Sequence, residues 1–398
     1  TYRCAAGRCH SQCIIYWQMN DTVTASPIPV VAATAPTKQV KVFFPNLDGL
    51  RFICFLLVFL FHCHKTIFHN LTAENGGAFA QTVHFLFRNG ELGVNFFFVL
   101  SGFLITYLLL KEKALPGGVR LGHFYIRRAL RIWPLFYLCL LIGFVLVPAL
   151  KMLGGEAARE TANPWYYLFF LNNFDYIQKW PLLPDALILI VLWSVAVEEQ
   201  FYVAWPLLMK WLPVKRLPLF FVLVIGGTLL FRSFYTGASD QDYAVRQFHT
   251  LAVIGDMALG GLLAYLTLYN PRFFNGISSL PKAGVAAIYA AALVILLFRE
   301  ELFALPVALV LERLVIGLVF GLVILEQNFC RHSFFKCARW KNLSRAGIYT
   351  YGLYCLHFFV ISLVQKLAEK LHFPTTASST AALAALALAA TLGIAFLS

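Results

Sequence analysis

Apolar residues in this chain come in long runs broken by short polar stretches, with neither strict alternation nor narrow helical stripes. The runs 50–68, 91–110, 131–149, 186–209, 217–234, 247–269, 283–298, 303–325, 346–368 and 380–398 are each long enough for a bilayer crossing, which takes about 20 residues of helix. An eleventh segment, 164–177 (PWYYLFFLNNFDYI), is shorter and rich in Trp and Tyr, the make-up of a segment lying at the lipid–water interface. The pattern predicts an all-α protein, a polytopic membrane helix bundle of about ten transmembrane helices plus one interfacial segment.

Composition agrees: 60% of the 398 residues are hydrophobic and only 13% are charged, against about 25% charged in soluble domains. The net charge of +13 is not spread evenly. With 164–177 kept out of the bilayer, the bases at 38–41, 111–131, 210–216, 272–282 and 331–345 all fall on one face, opposed there only by Glu112 and Glu326. Counting that segment as a span scatters them over both faces. The positive-inside rule therefore predicts ten crossings with both termini cytoplasmic. Membrane lipids account for the basic character, and no nucleic acid is expected, because no basic stretch is interleaved with aromatics in a soluble module.

Residues 42–398 form the expected membrane domain, preceded by a tail over 1–41. Within the tail, 1–18 is expected to be a non-native extension ahead of Met19, in preference to a zinc site built from Cys4, Cys9, His10 and Cys13, and 20–41 is expected to be disordered. The last run ends at Ser398 without a flanking polar segment. The other cysteines, at 54, 63, 139, 330, 337 and 355, read as reduced thiols, and no metal site is expected.

Ionisable groups at membrane depth cost roughly 2.5–3.5 kcal/mol each at a helix centre, so each is a functional candidate. Counting from Leu50, His62 lies about 18 Å into the first span. Ser101, Glu198, Glu199, Asp256, Glu312 and His357 are expected at a similar level, with Asp256 and Glu312 as ion-pair partners. Arg51 and His62 are eleven residues apart, about 1100° of helical rotation, so they share a face roughly 16 Å apart. An arginine at the mouth and an imidazole deep inside suit a long ligand with an anionic head and a reactive far end. His64 lies about 200° round from His62, so the His-Cys-His triplet does not chelate one metal. In FYIRRALRIWP, helical spacing groups Arg127, Arg128 and Arg131, and Arg128 and Arg131 beside Arg51 are read as phosphate binders.

The segments NLDGLRFICFLLVFLFH, GVNFFFVLSGFLITYLL, FYIRRALRIWPLFY, LWSVAVEEQFYVAWPLL and TYGLYCLH, in that order, resemble acyltransferase family 3, the bacterial integral-membrane O-acetylases. The resemblance implies transfer of an acyl group, usually acetyl, from cytoplasmic acyl-CoA (acetyl-CoA) to a glycan or lipid-linked saccharide acceptor across the inner membrane, with no permanently bound cofactor. The family's Arg-x10-His motif falls on Arg51 and His62, its Arg-x-x-Arg motif on Arg128 and Arg131, its SGFL segment on Ser101–Leu104 and its acidic pair on Glu198 and Glu199. Some relatives carry an extracytoplasmic hydrolase-like domain, and here any such acyl-transfer partner is expected to be a separate protein or unnecessary. His62 is the expected catalytic residue, with Glu198 or Glu199 orienting it, while Ser101, Tyr351 and His357 line the pocket. The alternative is a proton-coupled secondary transporter or flippase using the same midplane His and Glu residues. It lacks support from matching repeat halves.

Overall fold

The computed structural model describes residues 44–397 apart from residue 156. The 1–41 tail and its candidate zinc ligands lie outside them. Among the described residues, ten helices are long and apolar enough to cross a membrane. We label them α1 (Pro45–Lys65), α2 (Leu92–Lys113), α3 (Leu121–Leu141), α4 (Leu192–Trp211), α5 (Leu217–Ser233), α6 (Thr250–Tyr269), α7 (Lys282–Leu302), α8 (Pro306–Phe329), α9 (Thr350–Lys370) and α10 (Ala377–Leu397). No strand occurs among the described residues. Short helices join the spans. The Trp/Tyr-rich segment forms two of them, Pro164–Leu168 and Asn172–Lys179, neither long enough to cross. An even number of crossings puts the start of α1 and the end of α10 on one side, called here the near face.

Local signals set the helix ends. Pro45 and Pro306 occupy first-turn positions of α1 and α8, where a missing N–H costs nothing. Asn270 caps the short helix Pro271–Ser278 by accepting from the Phe273 N–H at 3.1 Å. Beyond α3 the chain continues through a π-helical turn, Ile142–Leu146, into Val147–Leu153. The expected third span began at 131, whereas the helix begins ten residues earlier, so all three of its arginines ride on the helix itself.

In lipid there is no hydrophobic drive between helices, so small residues and polar pairs hold them together. At the centre, α2 packs along α6. A Cβ on Gly102 would stand 2.6 Å from the Met257 carbonyl carbon, and one on Gly260 would stand 2.6 Å from the Phe103 nitrogen. Only glycine allows that approach. The expected ion pairs are present as well. Arg313 holds Asp256 at 2.6 Å, and Glu312 receives Arg232 at 3.1 Å and Arg299 at 2.6 Å. Arg299 also pairs with Glu91.

The register of α1 against α2 decides what lies at each depth. Phe44 packs on Phe103 and Tyr107, with ring centroids 6.0 and 5.1 Å apart, while Gly93 abuts Cys54 and Gly90 abuts Leu57 and Phe61. Ser101 therefore sits beside the first turns of α1, and the eleven residues from Ser101 back to Gly90 rise about 16 Å. His62 does not share the level of Ser101, as the span count had it; it lies farther toward the far face.

Candidate active site

A cavity with about 860 Å³ of space not filled by atoms, part of it open to the outside, lies among α1, α2, α3, α4 and α9. Its lining includes Arg51, Ser101, Arg128, Arg131, Glu198 and Tyr351, six of the expected site residues, brought together from five helices. Three arginines against one glutamate give it a cationic character. Along α2 the lining runs from Val94 to Ile105, about 16 Å of helix.

Several of the polar groups are held in place. Arg51 donates to Asp48 at 2.6 Å, three residues earlier on α1. That bond occupies one of five guanidinium N–H groups. The Arg128 guanidinium lies 5.6 Å from the Phe124 ring and 5.3 Å from the Tyr202 ring. Glu198 accepts from Ser101 Oγ at 2.8 Å and from the Tyr202 hydroxyl at 2.9 Å. Tyr351 donates to the Ile132 carbonyl at 2.9 Å, tying α9 to α3 beside Arg131.

Tyr202 was not anticipated from the sequence. It follows Glu198 by four residues on one helix, a spacing that places the two side chains together. Nothing distinguished it beforehand from the other aromatic residues of α4.

Four expected residues lie outside this lining. Arg127 is exposed and absent from the lining, whereas Arg128, about 100° round the helix from it, and Arg131, itself exposed, both line the cavity. Glu199 points toward the Trp133 indole, which donates to its Oε2 at 3.1 Å, and not toward a cation. Glu199 Oε1 is buried with no partner among the described residues. His62 packs against α9, its ring centroid 5.1 Å from that of His357 and 4.2 Å from that of Phe358. His357 stands behind Tyr354, which does line the cavity, at 5.7 Å between centroids.

The cavity and the histidine pair are thus joined through one layer of rings. Phe97 and Tyr354 pack at 6.1 Å at the inner end of the cavity, and Phe55 lies 5.7 Å from His357. His357 Nδ1 is 2.7 Å from the Tyr354 carbonyl. A carbonyl oxygen only accepts, so Nδ1 carries the hydrogen, and Nε2 of the neutral ring is a bare acceptor. That Nε2 is buried and has no partner among the described residues. Glu198, expected to orient the His62 imidazole, has both oxygens engaged in the cavity instead. No group of three or more potential metal ligands occurs among the described residues.

Comparison with known proteins bears on this arrangement. The family model described as an acyltransferase domain matches residues 44–398. The chain is similar to the peptidoglycan O-acetyltransferase OatA of Listeria monocytogenes, 28% identical over 355 residues, covering 84% of this chain and 52% of that protein. It is also similar to the O-acetyltransferase OatA of Staphylococcus aureus, 30% identical over 238 residues, covering 56% of this chain and 35% of that protein. The chain thus spans about half or less of the length of these curated relatives. No solved structure matches it.

Proposed function

Because the chain belongs to the acyltransferase family, whose domain spans residues 44–398, we propose that this multi-pass membrane protein moves an acetyl group from acetyl-CoA to a hydroxyl of a cell-envelope glycan. The near face is taken as cytoplasmic, in a bacterial inner membrane with both termini inside, because the bases concentrate there. The observation that carries the reading is the cationic cavity itself. Arg51, Arg128 and Arg131 line a mouth whose inner end stops at Tyr354, one ring from the His357–His62 pair.

Guanidinium forks match phosphate oxygens, so the three arginines take the phosphates of the donor. Ser101, Glu198 and Tyr202 form a polar patch in the wall, suited to the amides of the pantetheine arm, and Glu198 is accordingly a binding residue in this scheme. The arm extends past Phe97 and Tyr354 toward His62, a passage made by turning side chains. At His62 the imidazole takes the proton of the acceptor hydroxyl as its oxygen bonds to the acetyl carbonyl carbon. The C–S bond breaks and the proton passes to the departing thiolate, leaving free CoA and an O-acetyl ester. His357, its ring centroid 5.1 Å from that of His62, acts as a positioning residue. Asp256 and Glu312, the midplane carboxylates that favoured a transporter, are held by arginines, which removes the motive for a proton relay through them.

The test is acetyl transfer from radiolabelled acetyl-CoA to envelope glycan in membranes with matched protein levels. His62→Ala is expected to lower the rate by about a thousandfold, in the usual range for a lost general base. Arg51→Ala is expected to raise the KM for acetyl-CoA. Unimpaired transfer by His62→Ala overturns the assignment.

A further inference from the structure

A second cavity opens at the far face, with about 770 Å³ of space not filled by atoms, part of it open to the outside. We propose that it is the acceptor site and that it takes a neutral, hydroxyl-rich saccharide, whose reacting hydroxyl approaches His62 from the side opposite the donor. This rests on the donor reading above.

The charge of the lining is the first argument. Lys65, Arg88 and Arg299 face Glu91, Glu300 and Glu312, three cations against three carboxylates. A neutral ligand meets no net field there, whereas the near cavity calls for an anion. Arginine N–H groups only donate and carboxylate oxygens only accept, while each sugar hydroxyl does both. The array is also fixed before any ligand arrives. Arg299 bonds to Glu312 at 2.6 Å and to Glu91, and Arg88 bonds to Glu301 at 2.6 Å and to the Leu297 carbonyl at 2.8 Å. Preorganised polar groups lose little freedom on binding.

Position is the second argument. Phe61 lines this cavity, and its ring lies 5.3 Å from that of His62. The Phe61 ring also gives an apolar surface for the C–H face of a sugar, with Lys65 Nζ 5.6 Å from its centroid. Glu91 of this cavity, the residue before α2, and Val94 of the donor cavity are three residues apart, less than one helical turn and about 4.5 Å along the axis. The two cavities thus reach toward the same layer from opposite faces, and His62 adjoins the far one through Phe61 and the near one through His357 and Tyr354.

Ala304 is exposed, lies between α7 and α8 and lines the cavity, so Ala304→Trp fills the space without removing any charge. Tyr243→Phe removes only a hydroxyl from the lining. Both variants are assayed in nanodiscs with labelled acetyl-CoA and a soluble N-acetylglucosamine oligomer as the probe acceptor. Ala304→Trp is expected to raise the KM for the oligomer about tenfold or more while the KM for acetyl-CoA stays within about twofold, and Tyr243→Phe to raise the oligomer KM about threefold. An unchanged oligomer KM in Ala304→Trp, with acetyl-CoA still bound, overturns the site. If that variant misfolds and loses acetyl-CoA binding, Tyr243→Phe decides by the same criterion. Failure of the unsubstituted protein to acetylate the oligomer overturns the saccharide class, whereas its failure to bind acetyl-CoA defeats the donor reading and this one with it.

Discussion

The near and far cavities confront the same difficulty, charged side chains in a low-dielectric bundle, and meet it in opposite ways. Around the far cavity the charges answer one another: Arg299 bridges Glu91 and Glu312, and Glu312 also receives Arg232, whose side chain is 1% exposed. In the lining of the near cavity three arginines face a single glutamate, and among the described residues only Arg51 of the three is ion-paired, to Asp48. Charge balanced within the fold shapes the protein. Charge left in excess along a cavity wall fits the protein for a ligand of the opposite sign.

Substitutions can break or sharpen this contrast. The largest effect is expected from Asp256→Asn in the internally balanced network, which leaves Arg313 nearly buried without its counter-charge. Losing one partner of a buried pair costs about 3–5 kcal/mol, so thermal unfolding in detergent should shift markedly downward while the affinity of the surviving folded protein for CoA holds. Next comes Arg128→Ala, removing a charge-assisted contact worth about 2 kcal/mol and raising the KM for acetyl-CoA about thirtyfold. Arg127→Ala, one residue away on the exposed side, should change it by less than about twofold. Tyr202→Phe removes one of the two donors to Glu198 and the hydroxyl near Ser101; about 1 kcal/mol is at stake, a fivefold loss in kcat/KM for acetyl-CoA.

The smallest effect lies in the loop before α4. Burial disfavours the charged form of Asp185, but its hydrogen bonds from Lys151 and from the Arg159 N–H outweigh that and hold its carboxyl below the ordinary range. A depressed carboxylate stabilises the fold above its unfolded pKa, and the contribution disappears as pH falls through the lower folded value. Protection of this loop from protease should therefore weaken only below about pH 4, and Asp185→Asn should remove that pH dependence at a cost under about 1 kcal/mol.

How far the sequence revealed the two cavities follows from what each depends on. Helix number and the interfacial segment are properties of continuous stretches: run length and the Trp/Tyr content of 164–177 suffice. The near cavity was largely legible because Arg51, Arg128 and Arg131 occupy positions fixed by helical rotation within their own spans, and Ser101 and Glu198 meet there as well. Depth was not legible, because the offset of α1 against α2 comes from Gly90 and Gly93 nesting on the α1 backbone, a tertiary fit with no local signature. That offset separates His62 from Ser101 and leaves Glu198 to serve Tyr202. The far cavity draws on the end of α1, the loop before α2, the helix Asp240–Phe248 and the α7–α8 turn. No single stretch announces it.

The central claim is that the arginine-lined cavity holds the phosphate-bearing head of the donor. The most direct measurement is the equilibrium affinity of CoA for the nanodisc-embedded protein and for the Arg51→Ala/Arg128→Ala/Arg131→Ala variant, taken at low and at high salt. The unsubstituted protein should bind CoA with an affinity that weakens as salt rises, and the triple variant should bind at least about a hundredfold more weakly, with little salt dependence left. Equal affinity in the two proteins, or binding indifferent to salt in both, would contradict the account.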